Sequence, residues 1–144
     1  LTLLIIITIV SGGFVAGLKA GKIYNTYPMM GDYWIPPGIF ALKPTWINFF
    51  ENIVTVQLSH RILTFITFVS IIVYWLKVRK LELPSRIGRA VNALMHITVL
   101  QFILGISTLL LFVPTILAAA HQATAMILLT VSLYLCHAFS RGSS

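Results

Sequence analysis

The feature that most restricts this chain is an apolar run that keeps two ionisable side chains inside it. From Ile53 to Leu76 the sequence is otherwise nearly uncharged and is long enough to cross a bilayer as an α-helix. Near its head stands Gln57-Leu58-Ser59-His60-Arg61. A histidine and an arginine are costly to hold within a membrane helix, so by default they mark a site. A second histidine, His121, sits at a similar distance from the start of another apolar run, Thr115 to Phe139.

Composition places the whole chain in the membrane class. Of its 144 residues 58% are hydrophobic and 9% charged, and the mean hydropathy is +0.96. A soluble domain carries charge on roughly a quarter of its residues. The net charge of +7 would suit nucleic acid, but position explains it better. Lys77, Arg79, Lys80, Arg86 and Arg89 crowd one short connection, as expected of a loop on the inner side of a membrane. The partner expected is therefore the lipid bilayer, with no nucleic acid. A single cysteine, Cys136, excludes a disulfide within the chain, and its apolar run predicts an inert buried thiol. The chain opens on Leu1 within an apolar run, with no basic segment before it and no cleavage site after it. That predicts a fragment or the later part of a longer chain, not a signal peptide.

The apolar runs predict an all-α integral membrane protein, a single four-helix bundle over 1–144 with spans at about 1–18, 53–76, 90–112 and 115–139. The first span ends in Gly12, Gly13, Ala16 and Gly17, which suit close helix packing or a flat macrocycle against the helix. A long connection, 19–52, holds four of the six prolines together with Tyr24, Tyr27, Tyr33, Trp34 and Trp46. Such aromatics favour the membrane interface, and 45–52 suits a short helix lying on that surface. A connection of this length suits a lid over a site. With the basic connection and Arg141 inside, the aromatic loop and the Val113–Thr115 turn face outside.

In that topology His60 and His121 lie about seven and about six residues below the outer ends of their spans, roughly 10 Å deep. Two imidazoles at equal depth on two membrane helices suit the two faces of one haem. Zinc is disfavoured, since no third ligand of Cys, Asp or Glu falls at this depth. Arg61 suits a haem propionate or a lipid headgroup, and Gln57, one turn before His60, suits a hydrogen bond within the site or to a neighbouring helix. His96 and His137 lie at different depths, which favours packing and interfacial roles over a second haem.

Longer stretches resemble a known family. They are Gly13-Phe14-Val15-Ala16-Gly17-Leu18-Lys19-Ala20-Gly21, Tyr24-Asn25-Thr26-Tyr27-Pro28-Met29-Met30-Gly31, Trp34-Ile35-Pro36-Pro37 and Phe50-Glu51-Asn52. They continue with Val56-Gln57-Leu58-Ser59-His60-Arg61, Gly105-Ile106-Ser107-Thr108-Leu109-Leu110, and Val113-Pro114 through Ala120-His121-Gln122. In this order they resemble the haem A synthases of the mitochondrial and proteobacterial branch, without the outer-loop cysteine pair of some bacterial members. The resemblance implies the second half of an eight-span duplicated fold. It implies a haem b cofactor held by His60 and His121, while the other half holds the substrate, haem O, whose methyl group is oxidised to the formyl of haem A.

The family's first half carries a glutamate three residues before its histidine; this chain has Gln57 there. The resemblance therefore implies the cofactor half, with no catalytic residue in it and no activity of this chain alone. It implies a mitochondrial inner membrane or bacterial plasma membrane location and a part in cytochrome c oxidase assembly. The partners implied are the missing N-terminal half, a haem O synthase, an electron donor and further copies of the chain. The alternatives are a bis-histidine cytochrome b that only transfers electrons, and a membrane anchor subunit without haem.

Overall fold

The computed structural model describes residues 1–141; residues 142–144, included in the expected domain, lie outside the described residues. Among the described residues the fold is all-helical: α1 (Thr2–Gly17), α2 (Asn48–Glu51), α3 (Ile53–Val78), α4 (Ser85–Leu110) and α5 (Thr115–Arg141), with two short 3-10 turns at Ala20–Lys22 and Thr45–Ile47. Three helices, α3, α4 and α5, are long and apolar enough to cross a membrane, and the protein is an integral membrane protein. The first helix, α1, is shorter, at 16 residues, and more apolar than these three.

Local chemistry sets the helix ends. Asn52 caps α3, its side-chain oxygen accepting from the backbone amides of Val54 at 3.0 Å and Thr55 at 3.2 Å. Lys19 takes a left-handed conformation, φ 54°, just beyond α1, and its amide bonds back to Ala16. Pro84 is extended, and its carbonyl accepts from the amides of Ile87 and Gly88. That starts α4 at Ser85 instead of near Ala90, so Arg86 and Arg89 ride on its first turns. Since α3 also continues to Val78, the inner connection narrows to 79–84.

The long helices form a closed ring. α1 packs on α3, α3 on α4, α4 most extensively on α5, and α5 returns to α1. The diagonals of the ring are therefore α1 with α4 and α3 with α5. The apolar core is Ile5, Ile71, Val91, Leu94, Leu128 and Leu135; Leu128 is midway along α5 and the others lie in the inner half of the bundle. Lipid is as apolar as these side chains, so dispersion and interhelical hydrogen bonds hold the helices together. Thr8 and Thr67 join α1 to α3 through hydroxyls 2.7 Å apart, and Thr2 and Ser132 join α1 to α5 at 2.6 Å. Each such bond contributes about 0.6 kcal/mol in a membrane bundle.

The outer connection is tied down by side-chain amides. Asn48 is fully buried; it accepts from the Leu42 amide and donates to the carbonyls of Leu42 and Thr45. Asn25 donates to the carbonyls of Gly21 and Leu109, pinning the loop to the end of α4. The helix expected over 45–52 forms as the 3-10 turn Thr45–Ile47 followed by α2.

Candidate functional site

The outer half of the ring is built differently from the inner half. Where α3 passes α1, the His60 ring projects towards α1, with its Nδ1 2.8 Å from the Ser11 hydroxyl. Beside Ser11, Gly12 leaves room for the ring: a β-carbon there would lie 3.1 Å from His60 Cε1. Of the small residues at the end of α1, Gly12 thus seats the histidine, whereas Gly13 and Gly17 would carry a β-carbon into open space.

The same arrangement recurs between α5 and α4. His121 lies against Gly105, where a β-carbon would come within 2.9 Å of the His121 Cε1. Gln101, one turn before that glycine, brings its amide nitrogen to 3.5 Å from His121 Nε2. The His121 Nδ1 is buried without a hydrogen-bond partner, as is the Gln101 side-chain oxygen. His60 and His121 therefore stand on diagonal helices, each seated on a glycine of the helix beside its own.

The other predicted site residues face the loop. Gln57 is buried and donates to the Tyr24 carbonyl at 2.9 Å, while its own side-chain oxygen has no partner. The Arg61 guanidinium donates to the carbonyls of Tyr24 at 2.8 Å, Thr26 at 2.9 Å and Met29 at 3.1 Å. Only its Nε is buried without a partner. Arg61 also edges an apolar cavity of about 610 Å³ between the loop and α3, lined by Tyr27, Trp34, Phe40, Ile62 and Phe65. By helical register that cavity lies on the face of α3 opposite His60.

His96 and His137 are both exposed on the bundle surface. Cys136, expected to be buried, is exposed as well; its sulfur lies 3.1 Å from the Thr2 hydroxyl. An apolar run marks what lipid tolerates, and lipid tolerates a thiol on the outer face of α5 as readily as a core does.

Ser11, Gly12, Gln101 and Gly105 were not singled out as site residues by sequence reasoning. The available signal was depth. Gly12 and Gly105 each lie about five residues, ~8 Å, from the outer ends of their helices, close to the level of the histidines. Which polar neighbour meets which ring depends on the order of the helices around the ring.

A family model described as cytochrome oxidase assembly protein, COX15-CtaA, matches residues 1–133. The chain is 46% identical to the heme A synthase COX15 of Arabidopsis thaliana over 99% of its own length and 31% of that protein. It is 45% identical to the heme A synthase of Nitrosospira multiformis over 98% of itself and 40% of the relative. With the human heme A synthase COX15 the identity is 44% over 96% of the chain and 34% of the relative. No solved structure matches. The chain spans 31% to 40% of the length of these curated relatives. Its helical membrane bundle, its histidine pair and these similarities identify the chain as a member of the COX15-CtaA family of cytochrome oxidase assembly proteins.

Proposed function

We propose that this chain is the haem-b-binding half of a haem A synthase, in which His60 and His121 would hold the haem iron. The observation that carries the reading is the placement of the two histidines on diagonal helices at matching depth, each seated on a glycine. The residues fit the group. A haem between two helices needs one ligating nitrogen from each side. The buried His121 Nδ1 has no protein partner, and the Gln101 amide at 3.5 Å holds Nε2 only weakly. Gln57 and Arg61 keep an unpartnered polar atom each at this level, so they are the candidates for the haem edge, although most of the guanidinium is engaged by the loop.

A haem held there by His60 and His121 would supply single-electron transfer. The chain's own part is to hold the two imidazoles facing each other and to cover the outer side with the 19–52 loop. In the complete protein this half would support the oxidation of the haem O methyl group to a formyl group, for use in cytochrome c oxidase. The other half would hold haem O, and a haem O synthase and an electron donor would be its partners. On this reading the chain is a single four-span bundle, with α1 as the fourth span.

The test is the optical spectrum of the full-length protein carrying this chain, purified in detergent. A low-spin haem b is expected, lost in His60→Ala and in His121→Ala and kept in His96→Ala. Loss in the His96 variant with retention in the His121 variant would overturn the ligand assignment.

A further inference from the structure

We infer that Ser11 is a positioning residue for the His60 ligand, fixing which of its ring nitrogens is offered to the iron. This rests on the haem reading above and goes beyond it.

The argument starts from a proton count. Ser11 has one hydroxyl proton and two close neighbours. One is the Thr8 carbonyl at 2.7 Å, a group that only accepts. The other is His60 Nδ1 at 2.8 Å, which either accepts or donates according to the tautomer. The carbonyl takes the serine proton, so the serine oxygen is left as an acceptor and Nδ1 must bring the hydrogen. A neutral imidazole with its hydrogen on Nδ1 carries its free lone pair on Nε2. Ser11 therefore holds His60 in the tautomer that ligates through Nε2.

The chain fixes the ring in space by the same pair of residues. The hydrogen bond holds Nδ1 on α1, and Gly12 lets the adjoining Cε1 corner of the ring lie close, with its β-carbon position 3.1 Å from Cε1, 3.7 Å from Nε2 and 3.8 Å from Nδ1. Ser11 is itself locked by its bond to the preceding turn of α1. His121 has no equivalent: its Nδ1 is unpartnered. The two ligands are thus unequal. The hydrogen bond from Nδ1–H raises the basicity of the coordinating nitrogen, so His60 is the stronger donor of the pair.

The consequence is readable in the metal centre. Removing a hydrogen bond of this kind typically costs 10–100-fold in metal affinity. Ser11→Ala in the full-length protein should weaken binding of added ferric protohaem by about 10–100-fold. The midpoint potential of the haem that remains should rise, because a less basic ligand stabilises the ferric state less. Ser11→Thr, which keeps the hydroxyl, should restore both affinity and potential. An unchanged potential in Ser11→Ala overturns the inference, whatever the affinity, since a packing defect would weaken binding without moving the potential of the bound haem. If Ser11→Ala holds no haem, the threonine variant decides: wild-type potential supports the inference, and a threonine variant that also lacks haem overturns it. Failure of the wild-type protein to bind haem, or retention of haem by His60→Ala, would instead remove the reading on which the inference stands.

Discussion

Gly105 on α4 lies so close to His121 on α5 that a β-carbon at position 105 would stand 2.9 Å from the ring Cε1. Real β-carbons do not approach a neighbour that closely, so even alanine must push the imidazole or part the two helices. Overpacking of this sort costs about 1–3 kcal/mol. Gly105→Ala should lower thermal stability in detergent and reduce haem content, with Gly12→Ala milder because its contact is 3.1 Å. Gly13→Ala, in open space, is the control. Equal effects at positions 13 and 105 would contradict the seating of the rings on the glycines.

Arg61 acts on the loop through several carbonyls at once. Its guanidinium meets the backbone of Tyr24, Thr26 and Met29, a fan of acceptors that the single ammonium of lysine does not match. Removing the donor strands those carbonyls, with a loss of about 1–3 kcal/mol. Limited proteolysis should cut Arg61→Ala faster within 24–30, and Arg61→Lys should protect only in part. Wild-type cleavage rates in the alanine variant would show that the contacts contribute nothing to loop order.

The distribution of basic residues sets the orientation. Lys77, Arg79, Lys80, Arg86 and Arg89 are all exposed and lie at one end of the bundle, so that end should face the inside. With Cys136 replaced by serine, a cysteine at Ser85 should react with a membrane-impermeant maleimide only after permeabilisation. One at Lys43 should react in intact vesicles. Labelling of position 85 from outside would invert the topology.

The chain by itself should not convert haem O to haem A. Its three acidic residues, Asp32, Glu51 and Glu82, are exposed, and none lies a helical turn from His60 or His121. Cofactor chemistry needs the protein to hold the reacting carbon against its oxidant, and on the proposed reading His60 and His121 would both be taken up by one haem. The purified chain, supplied with haem O, a reductant and oxygen, should yield no haem A on chromatography of the extracted haems. More than one turnover per chain would refute the half-enzyme reading.

The sequence by itself determined the membrane class, the long helices and the pair of histidines at matching depth. These follow from run length, the cost of charge in hydrocarbon and the rise per residue, which are local quantities. It also marked Arg61 and Gln57, although not their engagement with the Tyr24 carbonyl, which needs the loop folded back over α3. The start of α4 moves from near Ala90 to Ser85 because Pro84, which breaks the chain, is also the residue from which α4 begins. Burial of Cys136 was misjudged because lipid and protein core make the same demand on an apolar run. Only the tertiary structure decided the order of helices around the ring, and with it the placement of α3 diagonally across from α5. It alone brought Ser11 and Gly12 to His60, and Gln101 and Gly105 to His121. Such contacts join residues far apart in the chain, and they are set by which helices pack side by side.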